Sequence, residues 1–410
     1  MKLTDVAQYY NNAWRFAAMQ ESYSIFIQCG QGLEHDCTHE IQVKFPGLKI
    51  EEAPFGLKGY VSIKIENTPI ARDAANQLAK ELRCFEKLHM LAWSREVPWQ
   101  DMTRRDRIEQ KIADFFDDCF ATIAKTGFLN TFSSITGKLQ MPIKEVEITA
   151  PVPRFLQDFG LRQSNIQAIG KRKAREYGVA MVLKQKGVTR LYVKILPTGI
   201  LGLIQLKLPP GNFRLKSVHP TGLFPNFAFA LIQESFLAYW EGSAGTISGV
   251  HVIDPVCGAG TIPLLAWDQL AYFADILGIE ESNISITGFE KEPAFFQKAM
   301  ENAKALNVDE TVTFENIDFL DSDPGFKADV FIAQPPYGYS IAMDDKALFT
   351  LYEQLFTWCE SRASHVGVFG VITPLKLWIN EIAPKTRWKL VQELPVKEHD
   401  VNCSMFIFKM

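Results

Sequence analysis

The run Asp254-Pro255-Val256-Cys257-Gly258-Ala259-Gly260-Thr261 limits what this chain can fold into more than any other segment. An apolar stretch, Ile247 to Ile253, leads into it and a second, Ile262 to Leu265, follows, the pattern of a buried strand that turns sharply into a helix. Gly258 and Gly260 supply the positive φ that such a turn needs and let the backbone approach a ligand. A second run, Gln334-Pro335-Pro336-Tyr337-Gly338, follows Asp329 to Ala333, a short apolar stretch that reads as another buried strand. Ligands in open α/β sheets sit beyond the carboxyl ends of strands, so the two runs are expected to meet at one edge of a parallel sheet.

Two β-type stretches lie between them, Ile284 to Glu290 and Val312 to Asp318, each ending in an acid. A carboxylate after the second strand accepts hydrogen bonds from ribose hydroxyls in nucleotide folds, which makes Glu290 the candidate for that role. Asp318, after the third strand, is placed to accept from an adenine amino group. The glycine turn lacks the third glycine of G-x-G-x-x-G, so a nicotinamide-binding fold is disfavoured. Inside that turn, Cys257 reads as a small, tightly packed side chain rather than a nucleophile.

The order and spelling of these motifs resemble class I methyltransferases, and more narrowly the THUMP-containing RNA guanine-N2 methyltransferases. The resemblance covers about residues 214 to 340 well. It extends upstream to His219-Pro220-Thr221-Gly222-Leu223-Phe224-Pro225-Asn226, which looks like the segment leading into the domain and flanking the cofactor, and on into a helix from Phe227 to Trp240. It implies S-adenosylmethionine as cofactor, held by Asp254, Cys257, Gly258, Gly260, Thr261, Glu290, Asp318 and Thr221. It also implies a base loop of Gln334, Pro335, Pro336 and Tyr337, in which a side-chain amide oxygen and the first proline's carbonyl accept from the exocyclic amine while the tyrosine stacks on the base. Such a site works by orientation and transition-state electrostatics and needs no metal.

At Gln334 the chain departs from the family's asparagine. The amide acceptor is kept, with one more methylene, on the order of 1.5 Å of reach, and one more torsion to fix. Three readings follow: a shifted loop with activity kept, a different base, or RNA and cofactor binding without catalysis. The expected reaction is methylation of guanine N2 in structured tRNA or rRNA. The alternatives are adenine-N6 methylation of RNA or DNA, and a non-catalytic RNA-binding protein that keeps the cofactor fold.

Upstream, residues 1–104 read as an α+β ferredoxin-like unit: strands at Tyr23–Cys29, Gly59–Ile65 and Leu88–Trp93, with helices from Gly32 to Val43 and Asp73 to Phe85. Residues 105–212 resemble a THUMP-like RNA-binding module. Strands are expected at Lys144–Thr149, Thr189–Ile195 and Leu201–Leu208, and a helical pattern at Val179–Leu183. Just before that pattern, Lys171, Arg172, Lys173 and Arg175 form a basic cluster suited to RNA. Residues 213–410 complete the chain as a Rossmann-like α/β methyltransferase domain, closed by an antiparallel pair at Trp388–Glu393 and Ser404–Lys409.

The formal net charge of −4 does not oppose an RNA substrate, because a basic stripe on one face is enough for phosphate steering. No run approaches the ~18 apolar residues of a membrane-crossing helix, and the first residues carry no apolar signal core. Seven cysteines without a C-x-x-C pair speak against a zinc ribbon or a disulfide framework and for a reducing, cytoplasmic setting. His35 and His39 share one helical face, a spacing open to metal, but with no third ligand in sight they read as a solvated face.

Overall fold

A computed structural model of the chain describes residues 22–66, 77–126, 145–181, 189–205, 213, 215–217, 222–243, 249–277, 280–322, 327–337, 343–398 and 401–410. Contacts divide it into two compact units, one of Met1–Cys29 with Ile41–Gly211 and one of Gly30–Glu40 with Asn212–Met410.

In chain order the first part contains β1 (Ser22–Gln28), α1 (Glu34–Lys44), β2 (Lys49–Glu52), β3 (Tyr60–Glu66), β4 (Lys87–Glu96), α2 (Arg105–Thr126), β5 (Glu145–Thr149), α3 (Arg154–Gln157), α4 (Gln163–Glu176), β6 (Ala180–Met181), β7 (Thr189–Leu196) and β8 (Gly199–Gln205). The strands form one eight-stranded sheet of order β2-β3-β1-β4-β8-β7-β5-β6. Ile108, Ile112, Phe115, Phe116 and Phe120 recur at three- and four-residue spacing along α2 and are all buried, an apolar stripe of helical period. On α4, Gly170 permits a close approach to the sheet, since a Cβ there would lie 2.6 Å from Ile148 Cδ1 and 3.0 Å from Phe116 Cζ.

Here the structure departs from the three-part expectation. β4 and β8 pair antiparallel, from His89 opposite Gln205 to Glu96 opposite Gly199, so the sheet runs unbroken across the boundary expected at residues 104 and 105. Pairing removes what would otherwise be two exposed strand edges. Ala180–Met181 is a strand paired in parallel with β5, not the start of a helix; so short an apolar run carries no period that separates the two. Of the helix expected from Asp73 to Phe85, residues 77–81 are helical, 67–76 lie outside the described residues, and the helix stops where Arg83 Nη1 donates to the carbonyls of Lys80 and Glu81.

The second unit contains α5 (Pro225–Gly242), β9 (Val250–Asp254), α6 (Thr261–Leu277), β10 (Ile284–Phe289), α7 (Pro293–Leu306), β11 (Val312–Glu315), β12 (Ala328–Ala333), α8 (Asp345–Arg362), β13 (Ala363–Thr373), α9 (Lys376–Ile382), β14 (Lys389–Glu398) and β15 (Val401–Lys409). Its seven-stranded sheet has the order β11-β10-β9-β12-β13-β15-β14. The first five strands in that order are parallel, and β15 runs antiparallel to both β13 and β14. Both faces are covered, which is why these strands read as continuous apolar runs. Phe331, Phe369 and Val371 pack with Leu348, Tyr352, Leu355 and Trp358 of α8 on one face. On the other, Gly370 leaves room for Ser235 of α5. Trp358 meets Phe289, Phe319 and Phe331 edge to face at 6.0, 5.5 and 5.9 Å, tying the end of β10, the turn after β11 and the middle of β12 to one indole.

Gly30–Glu40, assigned from sequence to the N-terminal unit, belongs by contacts to the second. Gln31 bridges Lys397 of β14, whose N–H donates to the Gln31 carbonyl at 3.1 Å. Asp36 is buried against Gln233 and Glu234 of α5, and Gln233 Nε2 donates to it at 3.4 Å. Burial first, then the charge and hydrogen bond of Glu234, push the Asp36 carboxyl well above its usual value. The native state therefore holds a proton that the unfolded chain releases near pH 4, so this pair's contribution to stability is full below pH 4 and is lost as pH rises through the folded value. Glu234→Gln removes the opposing charge, and its unfolding midpoint is expected to fall less than the wild type's between pH 5 and pH 8. Equal slopes in thermal melts across that range would contradict the assignment.

Candidate active site

The strand order of the second sheet reverses between β9 and β12, the switch point at which open α/β sheets bind ligands. Phe331 lies opposite Ile253, so the loops after Asp254 and after Ala333 leave the sheet side by side. Asp254 is 2% exposed and accepts from Val256 N at 3.0 Å. Burial, with the Glu290 charge adding, raises its carboxyl to about 8. Cys257 N donates to the Phe289 carbonyl at 2.9 Å and Gly258 N to Glu290 Oε2 at 2.9 Å, while Glu290 Oε1 accepts from Glu292 N at 2.7 Å. Asn316 Nδ2 donates to the carbonyls of Glu290 and Lys291 at 2.7 and 3.1 Å. The ends of β9, β10 and β11 are thus fastened together around the Glu290 carboxylate.

Gly258 and Gly260 have φ of +56° and +82°, as the turn requires. At Gly260 the missing side chain also makes room for the core: a Cβ would lie 2.8 Å from Phe314 Cζ and 3.2 Å from Ala299 of α7. Cys257 is buried and burial holds its thiol well above the usual range, so it packs as a neutral group. Thr261 is buried at the first position of α6. Asp318 accepts from Leu320 N at 3.1 Å and lies 3.9 Å from Lys291 Nζ. Thr221 lies outside the described residues.

In the second loop Pro335 is buried, and Gln334, Pro336 and Tyr337 are half-buried; Gly338 lies outside the described residues. Gln334 Nε2 donates to the Tyr337 hydroxyl at 3.3 Å, and that hydroxyl donates to Glu398 Oε2 at 3.3 Å. Burial, then the Glu398 charge, hold the phenol well above its usual value, so it stays protonated and a donor. The extra methylene of glutamine is what takes the amide to the phenol, and with Nε2 occupied the amide offers Oε1 as its acceptor.

Sequence reasoning missed two residues here. Glu398, 5% exposed at the end of β14, lies 61 positions beyond Tyr337 with no local pattern to mark it. Asn302 of α7 is fully buried; its Nδ2 donates to the carbonyls of Ala259 and Ser217 at 2.9 and 2.7 Å, and its Oδ1 accepts from Ser217 N at 2.8 Å. It fastens the glycine turn to the segment ahead of α5. An asparagine flanked by Ala299 and Ala303 on one helix face was the available signal. For Glu398→Gln, a neutral acceptor replaces a charged one, a loss of about 1 kcal/mol, or roughly fivefold in kcat. Tyr337→Phe combined with it is expected to cost less than the two single effects summed, which a double-mutant cycle on kcat measures.

The basic cluster, by contrast, sits on α4 away from these loops in sequence and in its own unit. Lys171, Arg172 and Arg175 are exposed, whereas Lys173 pairs with Asp117 of α2 at 2.9 Å and Glu176 at 3.0 Å.

Residues 217–402 match the model of the RMKL-like methyltransferase domain. This stretch is an RMKL-like methyltransferase domain. Among curated proteins, the chain is 25% identical over 205 residues to the tRNA (guanine(6)-N2)-methyltransferase of Methanocaldococcus jannaschii, covering 43% of this chain and 51% of that one. It is 23% identical over 168 residues to the ribosomal RNA large subunit methyltransferase K/L of Vibrio campbellii, covering 33% and 24%. The chain therefore spans about half and about a quarter of the length of these two relatives. In three dimensions it resembles TrmN from Thermus thermophilus, with a TM-score of 0.65 at 18% identity, over 94% of this chain and 99% of that one. The likeness establishes a shared fold for the RMKL-like domain and for the part that precedes it. Among the described residues no helix is long and apolar enough to cross a membrane, and no group of three or more His, Cys, Asp or Glu side chains is arranged for a metal ion.

Proposed function

We propose that this chain is an S-adenosylmethionine-dependent RNA methyltransferase that modifies an exocyclic base amine, N2 of guanine in tRNA or rRNA. The observation that carries the reading is the meeting of the Glu290-bound glycine turn and the Gln334–Tyr337 loop at the switch point of an RMKL-like domain. The residues present fit an adenosyl cofactor. Glu290 uses one lone pair of each oxygen on backbone N–H groups and keeps the others for ribose hydroxyls, and Asp318, capping the short 3-10 turn three residues after β11, offers a further acceptor. Asp254, Cys257, Gly258, Gly260 and Thr261 shape the turn beneath it.

When bound, S-adenosylmethionine supplies an electrophilic methyl group carried on a sulfonium. The chain's own part is orientation. Gln334 Oε1 and the Pro335 carbonyl accept from the two N–H groups of the amine, localising the nitrogen lone pair that ring conjugation otherwise withdraws. The amine nitrogen so oriented would take up the methyl group, with the cofactor's sulfide as leaving group, and release one proton to water. Tyr337, held by Glu398 and Gln334, offers a fixed ring for the base to stack on after it leaves its helix. Pro335 and Pro336 stiffen the loop, and Lys171, Arg172 and Arg175 on α4 supply cations for the RNA backbone.

Two further points support the reading. The seven cysteines are free and buried, in keeping with a reducing compartment such as the cytoplasm. The Gln334–Tyr337 contact gives the substituted glutamine a partner that asparagine would not reach, in keeping with a site adapted rather than lost. Incubation with methyl-labelled S-adenosylmethionine and RNA or DNA of matched length tests the proposal: label is expected in RNA alone and is suppressed by S-adenosylhomocysteine. Label in DNA, or none in either, overturns it.

A further inference from the structure

One face of the first sheet carries a group of side chains that the proposed chemistry does not use. Gln28 of β1 lies opposite both Tyr60 of β3 and Lys87 of β4; two residues on, Phe26 lies opposite His89, which lies opposite Gln205 of β8. Lys194 and Tyr192 come from β7 beyond it. His89 is the floor: it is fully buried, set between the rings of Tyr60 at 5.9 Å and Tyr192 at 5.0 Å, and its ring nitrogens have no well-formed hydrogen bond among the described residues beyond a weak one to the Phe26 backbone. Two half-buried lysines stand over those rings, Lys194 Nζ 5.1 Å from the Tyr60 centroid and Lys87 Nζ 5.8 Å from the Tyr192 centroid. The Tyr60 hydroxyl donates to Gln28 Oε1 at 3.1 Å and the Tyr192 hydroxyl to Gln205 Oε1 at 3.2 Å, so both phenols are tied to the rim.

Two cations converge here without a carboxylate partner for either among the described residues. The acid next in sequence to Lys87, Glu86, is exposed and accepts from Gln28 Nε2 at 2.9 Å. Burial and the charge of Lys87 pull Lys194 below its ordinary value, and burial with both lysine charges draws His89 down to about 3, so the imidazole is neutral. A fold does not gain from gathering unpaired positive charge over a neutral, weakly bonded imidazole, because each such group forfeits solvation without fully recovering it. An anion seated on the face would restore what is missing. It would neutralise both lysines and give the imidazole N–H an acceptor. Lysine, a compact point charge with three donors, suits the tetrahedral oxygens of a phosphate.

We infer that this face, built from Lys87, Lys194 and His89 between Tyr60 and Tyr192, is an anion site that seats a backbone phosphodiester of the substrate RNA. The site is separate in sequence and in the fold from the α4 cluster, and the inference rests on the RNA reading above.

The test titrates the full-length protein with a fluorescently labelled structured RNA across a range of salt, comparing wild type with K87Q/K194Q and with K87R/K194R. Thermal unfolding is followed alongside, with and without inorganic phosphate. The glutamine pair is expected to bind at least tenfold more weakly at low salt, with the slope of log K against log salt smaller by about one to two, as loss of phosphate contacts requires. The arginine pair is expected to keep both affinity and slope. The glutamine pair is also expected to melt no lower than wild type, since it removes unpaired half-buried charge; should it melt far lower, the arginine pair still decides, because retained folding with lost affinity there overturns the charge-based site. Equal RNA affinity and slope for wild type and glutamine pair overturns the site and leaves the RNA reading standing. Stabilisation of wild type alone by inorganic phosphate, with RNA affinity unchanged, makes it a free-anion site and overturns the assignment to RNA. A wild type that binds no RNA at all overturns both.

Discussion

Replacing Gln334 by alanine is expected to lower kcat by about 10²- to 10³-fold while the affinity for S-adenosylmethionine stays within about twofold. The magnitude is that of removing one preorganised acceptor or donor aimed at the reacting group. Two losses combine in it. The amine loses Oε1 as an acceptor, and Tyr337 loses the Nε2–H that reaches it at 3.3 Å. Asparagine at the same position keeps an acceptor but is one methylene short of the phenol, so Gln334→Asn is expected to fall by about 10- to 10²-fold rather than to gain, the range that a misplacement of about 1 Å produces. Single-turnover transfer at saturating cofactor and RNA reads both variants. A rise with asparagine would mean that glutamine marks a site in decay.

Glu290→Ala is expected to raise the Kd for S-adenosylmethionine by about 10²-fold or more. In the free protein the change strands the Gly258 N–H, now held at 2.9 Å, at a cost of about 1–3 kcal/mol in its half-buried place, and releases the exposed Glu292 N–H, now held at 2.7 Å, to water. The acceptor for the ribose hydroxyls goes with them. Glutamine is expected to be little better. A carboxamide has one oxygen, so one of the two backbone donors would face an NH₂ group. Calorimetric titration of the cofactor measures this, and a Kd within threefold of wild type for both variants would remove Glu290 from the cofactor site.

What the sequence made legible was what local spacing encodes. The strand, glycine turn and helix around Asp254–Thr261, the strand opening onto Gln334, the acid just after β10, and the closing pair β14 and β15 were all readable from short apolar runs bounded by turn residues, whereas β11 stops at Glu315, short of Asp318, which caps a 3-10 turn instead. What escaped were contacts between residues far apart in the chain. The Tyr337–Glu398 bond spans 61 positions, the Asn302–Ser217 bonds 85, and the Asp36–Gln233 bond 197. No local periodicity records such pairs. The same holds for the eight-stranded sheet: β4 and β8 each looked like the end of its own module, and only the register of His89 on Gln205 joins them. At Val179–Leu183 the run was too short for its period to be read, and at Lys173 a cation that looked available for RNA is taken up by Asp117 on the neighbouring helix.

The central claim is that the Gln334–Tyr337 loop and the Glu290-bound turn together transfer a methyl group to guanine N2 in RNA. RNA from cells lacking this protein, reacted with isotopically methyl-labelled S-adenosylmethionine and digested to nucleosides, tests it by mass spectrometry. The account predicts label in N2-methylguanosine, absent with Gln334→Ala. Label in N6-methyladenosine, or none in any nucleoside while the cofactor demonstrably binds, would contradict it.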